Sequence, residues 1–454
     1  MKFSSVKECG LLAILSVVFV VFPWLHGLDL VWEQLLAASF ILLFASLGLL
    51  FCQFHITRNR VIALSLWSIW VVYNTIYLMP LPVSLIEFLS PKVPFWYAYQ
   101  GLESAPHLTV YWQASLIEWV KFLALALLFF ALLLFVNTSR RITGAIIVIF
   151  SGAAITSLYS ICNFITAGEY ELVNAIPPWN YSWKDGIRGT FSYKNQYAIY
   201  LGIAALLGIG LLLDTLKDKR KRWLSFALLF FIAAMAYTLI NTSSRGALLS
   251  VIAGLAASIL LYMLRQPRIF TLLFSARTAL ICAVVVGVLV FAFMQSSMYH
   301  RFSEDQLDDN GRNELRQTVQ SVIRDHPLLG SGPGTYPYIQ HIYKPVLLGN
   351  SKMSKRAHND YLETIATTGI VGFLLLLLPV GWLLIRQFKV TNTPHPGILF
   401  GCRAATISYL SQATFDTNAG IFFLPVLFVS LLSIGFILGE GNLTIEANAH
   451  TEVL

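Results

Sequence analysis

Residues 369–385 read Gly369-Ile370-Val371-Gly372-Phe373-Leu374-Leu375-Leu376-Leu377-Leu378-Pro379-Val380-Gly381-Trp382-Leu383-Leu384-Ile385, and Arg386 and Lys389 follow at once. No residue in that run is charged, and its length approaches the roughly 20 apolar residues that one helix needs to cross a hydrocarbon core. Runs of this kind recur at 10–26, 34–52, 61–79, 113–136, 143–163, 197–213, 223–240, 247–264, 278–294, 399–414 and 419–438. The sequence predicts an all-α, polytopic integral membrane protein with about twelve transmembrane helices.

Composition agrees. The chain has 454 residues, 57% of them hydrophobic and 12% charged, and its mean hydropathy is +0.69. Soluble domains carry about 25% charged residues, so a soluble protein on a single anchor is excluded. The five cysteines, Cys9, Cys52, Cys162, Cys282 and Cys402, fall in or beside apolar runs. Their spacing gives neither a metal site nor a disulfide framework. Lys2 and Lys7 precede the first run, but no small-residue cleavage site comes before Pro23 and Trp24, so a cleaved signal peptide is not expected. The net charge of +8 suits anionic lipid or an anionic substrate. Loop topology accounts for most of the basic residues, and nucleic acid is not an expected partner.

Orientation follows from basic residues in short loops. With the N-terminus inside, the inner loops carry Arg58 and Arg60, Arg140 and Arg141, the cluster Lys217, Lys219, Arg220, Lys221 and Arg222, then Arg265, Arg268 and Arg277, and finally Arg386 and Lys389. Both termini are then cytoplasmic. Four stretches remain outside. The first, 80–112, is rich in proline and aromatic residues and reads as an interfacial belt around Phe95 to Tyr99. The second, 163–195, holds Pro177-Pro178-Trp179 and Arg188-Gly189-Thr190-Phe191-Ser192-Tyr193-Lys194-Asn195. The third is the tight Asn241-Thr242-Ser243-Ser244-Arg245-Gly246. The fourth is the long polar interval before the quoted run. In it, Leu315, Val319, Val322 and Ile323 recur at helical spacing with Arg312, Arg316 and Arg324 between them. That pattern predicts an amphipathic helix over 311–326, packed on the membrane portion and stopped by Pro327. A tight turn at Gly330-Ser331-Gly332-Pro333-Gly334 follows.

Three outer arginines stand beside helix ends: Arg188 before the helix near 197, Arg245 at the start of the helix at 247, and Arg356 two positions before His358. A guanidinium offers a fixed fork of donors to phosphate oxygens, and the helix start beyond Arg245 adds free N–H groups. Such arginines either pair with lipid phosphate or build an anionic-substrate site; their place against the positive-inside trend favours the site. His358 opens His358-Asn359-Asp360-Tyr361. A neutral imidazole there takes a proton from a sugar hydroxyl near pH 7, unless it is only a structural interface histidine. Asp360 or Glu363 is placed to fix its tautomer. Asp416, in the turn between the last two helices, either pairs with an outer arginine, orients a sugar or caps the final helix. Glu118 and Lys121, three apart in one span, share a face and form a pair.

These residues, in this order, resemble the O-antigen ligase and O-antigen polymerase superfamily of polytopic inner-membrane glycosyltransferases. The resemblance runs from about residue 186 to 435. It rests on Arg188-Gly189-Thr190-Phe191 with Asn195, Ser244-Arg245-Gly246, the segment from Arg312 through His326-Pro327 to Gly334, His358-Asn359-Asp360-Tyr361-Leu362-Glu363, Gly369 and Gly372, and Phe415-Asp416. It implies a donor glycan on undecaprenyl pyrophosphate and an acceptor that is a lipid A–core sugar in a ligase or a second lipid-linked repeat unit in an O-antigen or exopolysaccharide polymerase. By resemblance, Arg188 and Arg245 bind the pyrophosphate, His358 is the base, and Arg356, Asn195, Asp360, Asp416 and Arg312 complete the substrate-binding set. No metal, nucleotide or other cofactor is implied. The expected organisation is N-terminal helices over 1–165, central helices with outer substrate loops over 166–294, a long periplasmic loop over 295–368, C-terminal helices over 369–438 and a cytoplasmic tail over 439–454. A transporter or flippase is the rival from another class. The Glu118/Lys121 pair is what supports it.

Overall fold

The computed structural model describes residues 3–51, 56–174, 182–183, 186–216, 218, 220, 222–265, 312–344 and 355–440. The expected span at 278–294, loop residues 295–311, the proline pair at 177–178 with Trp179, and tail residues 441–454 lie outside the described residues. So do Cys52, Cys282, His55, His300, Lys217, Lys219, Lys221, Arg268 and Arg277.

All regular elements among the described residues are helical; one isolated bridge joins His26 and Phe191. Helix α1 (Phe3–Ser16) runs into a π turn (Val17–Val21) and a 3-10 turn (Phe22–Trp24). Then come α2 (Val31–Phe51), α3 (Arg58–Thr75), α4 (Val83–Leu89), α5 (Val93–Tyr99), α6 (Trp112–Phe135), α7 (Ser139–Ile165), α8 (Lys194–Thr215), α9 (Arg222–Asn241) and α10 (Arg245–Arg265). After the undescribed interval follow α11 (Arg312–Asp325), α12 (Tyr336–Tyr343), α13 (Asp360–Lys389), α14 (Pro396–Gln412) and α15 (Phe423–Glu440).

Among the described residues eight helices are long and apolar enough to cross a membrane: α2, α6, α7, α8, α9, α10, α13 and α15. Each falls on an expected span. The expected spans at 10–26, 61–79 and 399–414 are helical too, for distinct reasons less regular. α1 breaks at its π turn. α3 carries Arg58, Arg60 and Asn74. α14 has 17 residues. α8 and α15 are buried almost throughout and form the centre of the bundle. Leu43, Phe226, Phe230, Leu260 and Leu374 point outward, as lipid-facing side chains do.

The ends of the helices opposite residues 312–368 are tied by charge. Arg265 and Arg403 both donate to the carbonyls that end α13: each reaches the Val390 oxygen at 2.7 Å, and Arg403 also reaches that of Gln387 at 2.9 Å. Cations are favoured there by the helix dipole. Asp214 caps α14 through the N–H groups of Gly397 and Ile398, both at 2.9 Å. Arg60 pairs with Glu440 at 2.7 Å and joins α3 to α15.

The outer end is shaped by a break in α13. The helix begins at Asp360, nine residues before the apolar run, and kinks at Gly369 (φ 70°, ψ 175°). A break frees N–H and C=O groups that cannot be left dry. The glycine-rich turn satisfies them. Ile370 and Val371 donate to the carbonyls of Pro327 (3.0 Å) and Leu328 (3.2 Å), while Ser331 and Gly332 donate to those of Ala366 (3.0 Å) and Thr367 (2.8 Å). Tyr73 of α3 and Tyr77, just beyond its end, close the Thr368 and Leu329 carbonyls at 2.7 and 2.5 Å. Only glycine fits at 369: a Cβ would lie 2.0 Å from the Leu328 oxygen.

α11 lies over this junction. Its Val319 and Val322 are buried with Ile86, Val93, Trp96, Tyr97, Tyr336 and Ile339 in a second, outer core, while Arg316 and Arg324 are exposed. The expected amphipathic helix is therefore present. The aromatic segment 95–99 divides: Trp96 and Tyr97 belong to this outer core, and Phe95 and Tyr99 stay exposed.

Gly369→Ala is expected to destabilise the protein by about 1–3 kcal/mol or more, because φ and ψ there are open to glycine alone. Gly381→Ala, with no atom within 4 Å of its Cβ, serves as the control. Paired melting temperatures in detergent test this; equal values for the two variants would refute the account of the kink.

Candidate active site

His358 sits just outside the N-terminus of α13, in a short strap fastened to the α14–α15 turn. Asn359 caps the helix by accepting from Leu362 N at 2.9 Å. The Asn359 amide donates to the Thr414 carbonyl (3.1 Å) and the Asp360 N–H to that of Ala413 (2.9 Å). The Asp360 carboxylate accepts from Asn418 N (2.9 Å) and Ala419 N (3.2 Å). Glu363 accepts from Arg356 Nη1 and from Ala357 N, each at 2.8 Å, and Arg356 Nη2 reaches the Gly420 carbonyl at 3.2 Å. Strap and turn are thus stitched along both edges. His358 is left at φ 51°, a costly value for a side chain with a Cβ.

The stitching delivers one contact. His358 Nδ1 lies 2.8 Å from Asp416 Oδ1. The same oxygen accepts from Thr417 N at 2.9 Å, and Oδ2 accepts from Asn195 Nδ2 at 2.5 Å. Burial pushes the Asp416 carboxyl up, but the hydrogen bond and charge of His358, with the donors Thr417 and Asn195, outweigh it and hold the group below the usual aspartate value. An ionised carboxylate only accepts, so Nδ1 carries the proton and Nε2 is the ring nitrogen that Asp416 leaves unengaged. Among the described residues Nε2 has no hydrogen-bond partner, and the side chain keeps 15% exposure against 3% for Asp416. The Tyr193 ring stands edge-on to the imidazole at 6.1 Å. The tautomer is therefore set by Asp416 and not by Asp360 or Glu363, whose carboxylates are spent on the turn and on Arg356. Neither Tyr193 nor the His358–Asp416 pairing was apparent from the sequence. Tyr193 lay inside a motif already singled out, and the pairing spans 58 positions.

Of the arginines, Arg245 starts α10 against the same turn. A Cβ on Gly246 would lie 3.3 Å from Gln412 Oε1 and 3.7 Å from Phe415 Cβ. Ser250 Oγ donates to that Gln412 oxygen at 3.2 Å. Ser244, 3% exposed, has a buried Oγ beside this helix start with no hydrogen-bond partner among the described residues. Arg188 is placed differently. It is 2% exposed, ion-paired with Glu171, donates to the Val173 carbonyl at 2.9 Å, and lies 5.4 Å from the Trp183 ring. Those partners are not contacts of His358 or Asp416. Asn195, seven residues on, does reach Asp416. Arg312 is the first residue of α11.

Beneath the strap opens a cavity of about 240 Å³. Its walls are apolar, with Trp67, Trp70, Phe122, Phe373, Tyr409 and Phe428 among them, and Glu118, Lys121, Arg356, Asp360 and Glu363 also line it. Lys121 donates to Glu118 at 2.6 Å and to Gln34 at 3.1 Å. Among the described residues, no three His, Cys, Asp or Glu side chains gather as metal ligands.

Residues 230–377 match the family model Wzy_C, described as O-antigen ligase. The resemblance to the O-antigen ligase superfamily is borne out over that stretch. It runs from α9 to the middle of α13 and contains Arg245, Arg312, Arg356, His358 and Asp360. Two residues of the histidine strap's network, Asn195 and Asp416, lie outside it on either side. No curated protein matches the chain.

Asp416→Asn is expected to cost about 1–3 kcal/mol, since three donors lose an ionised acceptor. Because the folded carboxyl titrates below its unfolded value, this contribution is full above about pH 4 and is lost as pH falls through the depressed value. The difference in melting temperature between wild type and variant should therefore be flat near neutrality and close on acidification; a difference that grows with acid would contradict the assignment.

Proposed function

We propose that this chain is a membrane glycosyltransferase of the O-antigen ligase type, moving a glycan from undecaprenyl pyrophosphate to a sugar hydroxyl of lipid A–core. In this proposal about twelve spans cross the bacterial inner membrane, both termini are cytoplasmic, and His358 faces the periplasm. The observation that carries it is the His358–Asp416 pair, with Nδ1 held at 2.8 Å and Nε2 left to act.

The acceptor hydroxyl oxygen attacks the anomeric carbon as the bond from that carbon to the diphosphate oxygen breaks, which inverts the centre. The hydroxyl proton passes to His358 Nε2, and the diphosphate leaves on its isoprenoid. Asp416 orients the ring and stabilises the imidazolium, as a carboxylate does for any histidine base. Charge grows on the departing diphosphate, where preorganised donors help most. Arg245, the first N–H groups of α10 and the Ser244 hydroxyl supply such donors beside the Asp416 turn. Arg188, buried against Glu171 and Trp183, contributes by holding the loop that leads to Tyr193 and Asn195. The cavity beneath the strap suits the first isoprene units of the donor. Its aromatic walls, not the Phe95 to Tyr99 segment, border that path. A carrier mechanism draws only on the Glu118–Lys121 pair and leaves the histidine, carboxylate and helix start unexplained.

The test is reconstitution with an undecaprenyl-pyrophosphate glycan and two acceptors offered separately, lipid A–core and a second lipid-linked repeat. His358→Ala should lower the transfer rate by about 10²–10⁴, the usual worth of a general base. Arg245→Ala should lower it while Arg245→Lys recovers part. Transfer only to the second acceptor would make the enzyme a polymerase; full activity of His358→Ala would remove the mechanism.

A further inference from the structure

Between Trp24, where the first apolar helix ends, and the start of α2 at Val31 the chain bends through His26-Gly27-Leu28. All three residues have positive φ, at 49°, 70° and 64°. That backbone is costly at His26 and Leu28, and contacts on two sides keep it. On one side the His26 carbonyl accepts from the N–H and the hydroxyl of Ser192, both at 3.3 Å, and Thr190 Oγ1 donates to the Pro23 carbonyl at 2.8 Å. On the other, Phe422 N donates to the Leu28 carbonyl (3.1 Å) and Phe423 N to that of Gly27 (3.3 Å). Gly27 is pinched between the two sides: a Cβ there would lie 2.7 Å from Phe191 Cδ2 and 2.9 Å from Ile421 Cδ1. Residues 190–192 lead directly into Tyr193 and Asn195, and residues 421–423 follow the turn that carries Asp416. The bend is therefore a clamp across the two segments that meet where Asn195 donates to Asp416.

The His26 ring fastens the clamp. Nδ1 lies 2.7 Å from Oε1 of Glu33, which is fully buried in the first turn of α2, and Nε2 lies 3.1 Å from the Asn174 carbonyl oxygen. Glu33 Oε2 accepts from Leu30 N at 3.1 Å, and negative charge is favoured at a helix start. A carbonyl oxygen and an ionised carboxylate only accept, whereas a neutral imidazole has a single N–H. Both contacts are hydrogen bonds together only when His26 is an imidazolium. The charged groups that face it agree. Glu33 from α2 and Asp29 from the clamp's own loop favour the cation, while Glu171, on the loop that ends at Asn174, is taken by Arg188. The hydrogen bond to Glu33, helped by its charge, outweighs burial and holds His26 above the ordinary histidine value.

We propose that His26 is a positioning residue for the transfer reaction: as an imidazolium it locks the 26–28 clamp, which keeps Asn195 on Asp416 and so fixes the His358 ring. This role in transfer rests on the glycosyltransferase reading; the titration of the clamp does not. Because the folded value is raised, the His26 contribution is full below the unfolded histidine value of about 6.5 and is lost as pH rises through the raised value. His358 must be neutral to take a proton, so the site needs one histidine charged and the other not.

The full-length protein is read in two ways. Melting in detergent needs no substrate. The difference in melting temperature between wild type and His26→Asn, a residue that tolerates left-handed backbone, should be largest near pH 6 and shrink as pH rises. A difference that is constant or grows with pH would overturn the proposal. Transfer is then followed against pH in proteoliposomes with an undecaprenyl-pyrophosphate glycan and either acceptor. His26→Asn should lower the rate near pH 6 by about tenfold or more, the factor carried by a hydrogen bond to a charged group. Its deficit should narrow at alkaline pH, where wild type itself declines. Glu33→Gln should retain more of the rate near pH 6 than His26→Asn and move the alkaline decline to lower pH, a shift that a merely structural histidine does not give. A His26→Asn profile parallel to that of wild type, or an alkaline decline that Glu33→Gln leaves in place, would remove the positioning role. Wild type that transfers to neither acceptor would end the glycosyltransferase reading and the positioning role with it, while the melting comparison still decides whether His26 is the charged fastener.

Discussion

The half of this protein that carries the histidine strap depends on a helix that is interrupted and then repaired by another part of the chain. α13 gives up its own ladder at Gly369, and the turn after α11 takes the freed groups on both sides of the break. Each backbone group matters in a buried setting, where an unpaired N–H or C=O costs about 1–3 kcal/mol. The repair has two structural effects. It anchors α11 and the outer core directly on a membrane helix. It also lets residues 360–368 stand as a separate helical segment, so its N-terminus can be aimed at the α14–α15 turn.

That aim is what the histidine strap uses. Asp360 and Glu363, the two acidic residues of the first turn, are favourably placed at a helix start, and both are occupied as fasteners. One holds the backbone of residues 418 and 419; the other holds Arg356 and Ala357. Carboxylates closest in sequence to His358 are therefore unavailable to it, and a distant one takes the role. Coulombic balance is local: Glu118 and Lys121 neutralise each other, as do Glu363 and Arg356, while Asp360 is held by the N–H groups of Asn418 and Ala419.

Much of the architecture was legible because it rests on local pattern. Apolar runs gave the spans, and the Leu315–Ile323 spacing gave an amphipathic helix whose valines are buried as expected. Glu118 and Lys121 pair as their three-residue interval implies. What could not be read depends on which side chains meet across the bundle. The start of α13 was placed at Gly369 because hydropathy begins there; the polar segment before it is helical only because the turn from α11 completes it. Asp416 looked like the partner of an outer arginine, a sugar ligand or a helix cap, and the partner of His358 was sought in Asp360 and Glu363 instead. Arg188 was singled out as a partner of Arg245 on the donor pyrophosphate, yet sequence says nothing of side-chain direction, and its ion pair is with Glu171.

The imidazole, its carboxylate and the amide that steadies that carboxylate come from α8, the α13 strap and the α14–α15 turn, at positions 358, 416 and 195. During synthesis His358 emerges 58 positions before Asp416, so the ring has no carboxylate to fix its tautomer until the turn before α15 has been threaded. The strap is then completed in one late event, and a chain arrested before that turn leaves a helical bundle whose imidazole is still unfastened.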